Sequence, residues 1–113
     1  MTNDTVIAEL TDDKFVISKV QDALDLICDL GAFDCNRIII KESNLQHDFF
    51  SLKTGLAGEI LQKFSTYNVK LAIIGDFSKY DSKAFQDFIR ESNKGNLIFF
   101  LDNMDSAKIK LTY

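Results

Sequence analysis

Two stretches of the chain, residues 47–54 and 75–81, concentrate the polar side chains that could bind a ligand. In the first stretch, Ser51, Lys53 and Thr54 stand at the start of an apolar pattern typical of a helix. The free backbone N–H groups and the dipole at a helix N-terminus attract an anion or a phosphoryl group, and Lys53 adds a positive charge. Ser51 and Thr54 are therefore candidate ligands or phospho-acceptors. The alternative is that one of them only caps the helix.

The second stretch follows an apolar run that predicts a strand. Gly75 permits a sharp exit from that strand, and Asp76, Ser78 and Lys79 come directly after it. These three side chains are candidates for the same binding site as residues 51–54. The alternative is a local role, in which Asp76 holds the turn by accepting from nearby amides, Phe77 fills the core, and Asp81 or Ser82 caps the next helix.

His47 is the single histidine of the chain, and Asp48 stands beside it. A histidine with a near-neutral pKa can act as a general base, and Ser51 lies four residues further on. A small hydrolase that uses Asp76, His47 or Glu59 as acid or base is therefore an alternative function. No oxyanion-hole motif accompanies these residues, so no catalytic residue is assigned. A histidine on a surface loop is the other interpretation.

Gly55 and Gly58 fall three residues apart in the predicted second helix. Glycine inside a helix costs about 1 kcal/mol relative to alanine, so a compensating close contact is expected. Either the helix packs tightly onto its own sheet, or a partner or ligand approaches this face.

Strands and amphipathic helices must position these residues. Two β-branched runs, residues 5–10 and 14–18, flank Thr11-Asp12-Asp13 and predict a hairpin. Ser18 with Gln21 forms a capping box that predicts the start of the first helix, and Gly31 predicts its left-handed end. The later elements are predicted as strand 37–41, a helix from Thr54 to about residues 66–68, strand 69–74, helix 81–93 ended by residues 91–95, strand 96–101, and one or two helical turns within 102–110.

The resulting order, ββαβαβαβα, defines the fold class. Apolar strands that alternate with helices indicate parallel pairing and a sheet covered by helices. We therefore predict a single α/β domain over residues 1–113, with a mixed, mostly parallel sheet and helices packed on it. In such a sheet, loops that follow the strands lie at one edge, where ligands usually bind. Residues 47–54 and 75–81 should meet there, and residues 91–95 should lie at the opposite edge in a structural role.

The charge of −4 is unevenly distributed. Residues 1–36 carry eight acids against two lysines, a net charge of −6, whereas the remainder carries eleven bases against nine acids, a net charge of +2. The acidic first third disfavours nucleic-acid binding. Asp22, Asp25 and Asp29 line one face of the first predicted helix. This stripe could dock a basic partner, or it could be a solvated face.

The remaining composition points to a cytoplasmic protein. The first ten residues lack the positive flank and apolar run of a signal peptide, and no apolar stretch approaches the length of about 20 residues that a membrane helix needs. Cys28 and Cys35 lie seven residues apart without a CxxC pair, so both are expected to be reduced thiols, and no metal site or cofactor is expected.

Most of the chain, from about Asp22 onward, resembles a small bacterial family known as a domain of unknown function, DUF 4180. The likeness is specific over residues 49–64, 75–80 and 91–95. The residues that carry it are Phe49, Phe50, Lys53, Thr54, Gly55, Gly58, Glu59, Gly75, Asp76, Phe77, Asn93, Lys94 and Gly95.

The element order also resembles the STAS fold of anti-sigma-factor antagonists and of the cytoplasmic tails of sulfate transporters. That resemblance implies a phosphorylatable Ser or Thr in the loop before the second helix, within an Asp-Ser-x-Gly-Leu arrangement. Here Thr54-Gly55-Leu56 matches the end of that arrangement, and Lys53 stands where Ser or Asp is expected.

These observations lead to one functional hypothesis. The chain is expected to be a cytoplasmic binding or regulatory module that recognises a protein partner or a small anion through loops 47–54 and 75–81. A homodimer that uses an exposed apolar surface is a further possibility.

Overall fold

The computed structural model describes residues 6–11, 14–51 and 54–112. Within these ranges, four parallel strands form one sheet in the order β1-β2-β3-β4. The strands are β1 (Ala8–Glu9), β2 (Arg37–Lys41), β3 (Lys70–Ile74) and β4 (Ile98–Leu101). The helices are α1 (Val20–Ala32), α2 (Leu56–Thr66), α3 (Lys83–Lys94) and α4 (Met104–Thr112), and short 3₁₀ turns cover Glu42–Asn44, His47–Phe50 and Phe77–Lys79. The predicted α/β class is confirmed.

Each strand pairs with the strand that follows it along the chain. Ile38 of β2 is in register with Leu71 of β3, which is in register with Ile98 of β4. Because successive side chains of a strand point to opposite faces, the continuous apolar strands supply two cores. Ile38 and Ile40 belong to the larger core, and Ile39 between them belongs to the smaller one.

The helices are divided unequally between the two faces of the sheet. The buried residues of α1, α2 and α3 all join the larger core, whereas Ala107 and Leu111 of α4 pack with Ile39, Ala72 and Phe99 in the smaller one. Strand–helix–strand connections of the same handedness place their helices on the same face of a sheet. The position of α1, α2 and α3 on one face agrees with this rule.

The predicted hairpin near the N-terminus is wrong. Ala8 and Glu9 pair in parallel with Ile38 and Ile39 of β2, and Ile17 forms an isolated parallel bridge with Leu45. Each of the two β-branched runs thus finds its partner in the middle of the chain instead of in the other run. The predicted turn contains Asp12 and Asp13, which lie outside the described residues.

Both predicted ends of α1 need correction. The carboxylate of Asp22, and not the side chain of Ser18, serves the start of the helix, because its Oδ2 accepts from the backbone N–H groups of Ser18 (2.9 Å) and Lys19 (3.2 Å). At the other end the helix runs through Gly31 to Ala32, and Asp34 takes the left-handed conformation with φ 53°.

Residues 91–95 form the end of α3 and lie next to β4, the outermost strand on that side of the described sheet. The side chain of Asn93 brackets the backbone of Phe100: its Nδ2 donates to the carbonyl (3.0 Å), and its Oδ1 accepts from the N–H (2.7 Å). Gly95 follows the helix as its C-cap residue. Asn93 therefore satisfies backbone groups on the outer side of β4 and has the structural role expected for this segment.

Asn44, in the turn that follows β2, is fully buried and was not singled out in the sequence. Its Nδ2 donates to the carbonyl of Phe15 (2.8 Å), and its Oδ1 accepts from the N–H of Lys41 (3.0 Å). Its own carbonyl accepts from the N–H of Ile17 (2.7 Å). Asn44 therefore attaches the segment before α1 to the end of β2.

We expect Asn44→Ala to lower the free energy of unfolding by about 2–4 kcal/mol, because a buried donor and a buried acceptor each lose their partner. Chemical denaturation at neutral pH measures the change. Ser43→Ala, at the exposed neighbouring position, is the control and should change stability by less than about 0.5 kcal/mol. Equal stability of the two variants would contradict the structural role of Asn44.

Candidate functional site

Two loops meet at the carboxyl edge of the sheet, one between β2 and α2 and the other between β3 and α3. The ring of Phe50, from the first loop, stacks on the ring of Tyr80, from the second, with centroids 4.9 Å apart and planes 12° apart. Both rings contact the buried Phe85 edge-on, at 5.9 Å and 5.4 Å. The described residues of these segments, 47–51, 54 and 75–81, therefore lie at one edge, and we call them the carboxyl-edge surface.

Glu42, directly after β2, provides the polar link between these loops. Its carboxylate accepts from the hydroxyl of Tyr80 and from the backbone N–H of Asp76 (3.3 Å), and it pairs with the ammonium group of Lys79 (2.7 Å). Three groups of the second loop thus converge on one side chain of the first. Charge-assisted hydrogen bonds of this kind are stronger than neutral ones, so Glu42 fixes the relative position of the loops.

Gly75 is required for this contact because of the space it leaves. A Cβ at position 75 would lie 2.6 Å from the Cβ of Glu42 and 2.6 Å from its Oε1. Any side chain at this position would therefore displace the stem of Glu42 as well as its carboxylate. The glycine that the sequence suggested for a sharp strand exit serves a close approach between two loops.

The link shifts the pKa values of both of its acids. Burial raises the pKa of the Glu42 carboxyl, but the hydrogen bonds from Lys79 and Tyr80 outweigh it and leave that pKa below its usual value. Burial also raises the pKa of the Tyr80 phenol, and the hydrogen bond to the Glu42 carboxylate raises it further. Glu42 is therefore ionised and Tyr80 protonated across the neutral range.

Thr54 lies at the start of α2, where its hydroxyl is used by the loop itself. Its Oγ1 is 2.8 Å from the carbonyl oxygens of both Asp48 and Ser51, and it accepts from the N–H of Leu56 (3.3 Å). The N-cap residue of α2 is Gly55, with φ 77°. The contacts of Thr54 are therefore local to the loop and the first residue of α2, but Thr54 is not the N-cap residue that the capping alternative predicts.

Asp76 likewise bonds within its own loop. Its Oδ1 accepts from the N–H (3.2 Å) and the hydroxyl (2.5 Å) of Ser78, and these bonds lower the pKa of the Asp76 carboxyl. Phe77 is buried, and Ser82 caps α3 by accepting from the N–H of Phe85 (3.1 Å). These contacts are the ones that the local interpretation of the loop predicts.

The remaining candidates differ in how closely they approach the link. Lys79 takes part in it and also lies 5.5 Å from the centroid of the Tyr80 ring. Ser51 is half-buried, and its N–H donates to the carbonyl of Asp48 (3.2 Å). Lys53 lies outside the described residues.

The acid–base candidates are not joined to one another. His47 and Glu59 are exposed, and no described contact connects either of them to Asp76. Within the described ranges, no group of three or more His, Cys, Asp or Glu side chains could hold a metal ion. None of the helices in the described part of the chain is long and apolar enough to cross a membrane. Cys28 and Cys35 are free thiols.

Three residues at the carboxyl edge were not predicted as site residues from the sequence: Glu42, Tyr80 and Phe50. Phe50 was named only among the residues that carry the family resemblance. Glu42 stands in the same relation to β2 as Gly75 and Asp76 do to β3, because each directly follows a parallel strand. The rule that placed Asp76 at the carboxyl edge would also have placed Glu42 there.

The glycines of α2 do not behave as expected. Gly55 precedes the helix, and a Cβ at Gly58 would meet no atom within 4 Å. Gly58 is exposed, so the expectation that it allows tight packing onto the sheet is wrong.

An α/β domain with a parallel sheet and two linked loops at its carboxyl edge is thus the class that fold and site define. Comparison with family models then gives the family. The model described as Domain of unknown function (DUF4180) matches residues 2–111, and the chain belongs to that family. No curated protein and no solved structure matches the chain.

Opposite effects are expected from two Gly→Ala substitutions. Gly75→Ala should destabilise the protein, by about 1–3 kcal/mol, because its Cβ overlaps Glu42. Gly58→Ala should stabilise it by about 0.5–1 kcal/mol, because an exposed helical alanine replaces a glycine without a new contact. Thermal and chemical unfolding of the two variants measure both changes. A stabilised Gly75→Ala variant would refute the close approach of Glu42.

The Glu42 link should also depend on pH. The pKa of Glu42 is lower in the folded than in the unfolded protein, so its contribution to stability is complete above the unfolded value, near 4.5, and is lost as pH falls through the folded value. The difference in free energy of unfolding between wild type and Glu42→Gln should therefore narrow from pH 7 to pH 3. Glu91→Gln, at an exposed ion pair, is the control. A difference for Glu42→Gln that is constant over this range would contradict the link.

Proposed function

We propose that this protein is a regulatory binding module that recognises a partner protein through the carboxyl-edge surface. The observation that carries the proposal is the link at Glu42, which holds two loops together in one arrangement. A surface whose loops are fixed before binding loses less conformational entropy when a partner docks, and this favours recognition.

The disposition of polar groups favours binding over catalysis. The hydroxyl of Thr54 and the carboxylates of Asp76 and Glu42 are engaged by groups of the same edge. A general base must take a proton from a substrate, and the hydrogen bonds to Glu42 and Asp76 lower the pKa of each carboxyl, which makes both weaker bases. The small hydrolase based on Asp76, His47 or Glu59 is accordingly the weaker of the two functions.

The charges of this surface favour a protein over a small anion. The two loops carry exposed carboxylates at Asp48, Asp76 and Asp81, and the ammonium group of Lys79 already pairs with Glu42. An isolated anion would meet these carboxylates, whereas a protein can place donors and cations against them. The mixed polar surface is therefore suited to a partner with complementary charges.

We also infer a STAS-like arrangement and a cytoplasmic, bacterial setting. Support for the first is the fourfold repetition of a strand followed by a helix, with the strands in sequential order in the sheet. In this arrangement, a phosphoryl group on Thr54 would replace the hydroxyl proton that bonds the carbonyls of Asp48 and Ser51. Phosphorylation would thereby loosen one of the two loops and regulate partner binding.

A photo-crosslinking side chain at position 48 tests the proposal in the native host. We expect a discrete adduct with a partner protein, and a loss of at least tenfold in its yield when Asp81→Arg is added from the other loop. Glu91→Arg, at the end of α3, is the matched control and should leave the yield unchanged. Both Asp81 and Glu91 are exposed, and neither caps a helix in the described contacts, so folding should be preserved.

Four outcomes would count against the proposal. The first is an absence of any adduct from position 48, and the second is an adduct that survives Asp81→Arg. The third is thermal stabilisation by phosphate, relative to chloride at equal ionic strength, that Lys79→Gln abolishes, which would favour the small anion. Hydrolase activity that disappears in both His47→Ala and Asp76→Asn would favour the enzyme.

A further inference from the structure

A second surface lies at the amino edge of the sheet, away from the loops described above. It is a groove of about 810 Å³ between α1 and the segments that lead into β2 and β3. Leu24 and Ile27 of α1 form one wall, and Val69, directly before β3, contributes to the other. This volume falls in the range of about 300–1,000 Å³ that is typical of binding pockets.

The side chains around the groove include apolar groups that reach solvent. Cys28 and Tyr67 both line the groove, and Tyr67 is 57% exposed. Phe33, which follows α1 directly, is 81% exposed, the largest value among the exposed large hydrophobic residues described. Aromatic side chains are enriched at protein interfaces because they bury much area for little lost conformational freedom, so their exposure marks this surface as one for docking.

The charge around the groove has one sign. Asp25 and Asp34 line it, and no lysine or arginine does so among the described residues. The whole of α1 carries acids without a single base. The guanidinium of Arg37, the first residue of β2, is bound by the carbonyl of Leu111 in α4 (2.5 Å) and by the Oδ1 of Asn36 (3.0 Å), and Arg37 itself does not line the groove.

The individual carboxylates are available to different degrees. Asp22 is committed to the start of α1 by its bonds from Ser18 and Lys19. Asp25 accepts one hydrogen bond, from the side chain of Gln21 (2.9 Å), which leaves acceptor capacity toward the groove. The acidic stripe predicted from the sequence is thus divided: Asp22 has a structural role, and Asp25 borders an apolar cavity.

We propose that this groove docks a basic amphipathic helix of a partner protein. Apolar side chains at helical spacing would enter between α1 and Val69, and flanking lysines or arginines would lie against Asp25 and Asp34. An apolar groove bordered by carboxylates is complementary to such a segment in both shape and charge. A second copy of this chain fits less well, because α1 would bring its own acids against the acids of the groove.

The groove runs along α1 to the amino ends of β2 and β3, and it shares no lining residue with the carboxyl-edge surface. Asn36 and Val69, at the groove, directly precede β2 and β3, whereas Glu42 and Gly75 directly follow them. The proposal therefore does not depend on the function assigned to loops 47–54 and 75–81, and either can fail without the other.

A labelled synthetic helix tests the inference. The probe is an 18-residue peptide with leucine at positions i, i+3, i+4 and i+7 and lysine elsewhere, and the comparison peptide has glutamate in place of lysine. We expect the lysine peptide to bind and the glutamate peptide to bind at least tenfold more weakly. Backbone amide chemical-shift changes on binding should be confined to residues 21–36 and 67–69.

Two substitutions with the same charge separate the groove from general electrostatic attraction. Cys28→Arg places a cation and a long side chain in the groove and should weaken peptide binding at least tenfold. Ile109→Arg makes the same charge change on an exposed residue of α4 and should alter binding by less than twofold. Asp25→Asn combined with Asp34→Asn preserves the side-chain shape, and asparagine tolerates the positive φ of Asp34. This variant should weaken binding and reduce its dependence on salt.

The proposal is overturned by any of three results. Equal losses in Cys28→Arg and Ile109→Arg would show attraction to the whole acidic surface. Chemical-shift changes centred outside the groove would place the peptide elsewhere. A dimer in sedimentation that Cys28→Arg converts to a monomer would show that a second copy of the chain covers the groove. If Cys28→Arg does not fold, an unchanged affinity in the double asparagine variant overturns the proposal.

Discussion

The turn that follows β2 is the constraint on which the rest of this structure depends. In this turn, Glu42–Asn44, the side chain of Asn44 points into the protein and the side chain of Glu42 lies at the carboxyl edge of the sheet. Asn44 bonds the carbonyl of Phe15 and so attaches the segment before α1 to the middle of the sheet. Glu42 bonds Tyr80 and Lys79 and so attaches the loop after β3. This one turn therefore holds two other segments in place, the segment before α1 and the loop after β3. The positions of the elements that follow depend on it.

This constraint also determines what the polar side chains of the carboxyl edge bind. A carboxylate that holds three donors is stabilised in its ionised form. Thr54 and Asp76 are engaged in the same way within their own loops. The hydrogen bonds of these groups therefore maintain the shape of the carboxyl edge, and this fixed shape is what supports the proposed recognition of a partner.

Most of the fold could be predicted because hydrophobic periodicity reports burial directly. The continuous apolar strands and the helical spacing of the buried residues placed three strands and three helices to within about two residues. The hairpin prediction failed because two β-branched runs that are near in sequence look alike whether they pair with each other or with a distant strand. The close approach of Glu42 to Gly75 could not be predicted either, because it depends on the register of β2 against β3, which leaves no local pattern. Gly58 is the opposite case. A glycine at this position suggested a close contact of α2, but the described structure contains no such contact.

The fold shows where the unevenly distributed charges of the chain lie on the molecule. Three of the eight acids of the first third lie on α1, which lines the groove, whereas the carboxyl edge combines acids with Lys79. Because surface charges are screened within about 8–10 Å at physiological salt, the two ends of the molecule present separate electrostatic surfaces to a partner. Under the two proposals made above, these surfaces of different charge would engage two partners at once, or two parts of one partner. The parallel sheet makes this possible, since its two edges are held apart by the full length of the strands between them.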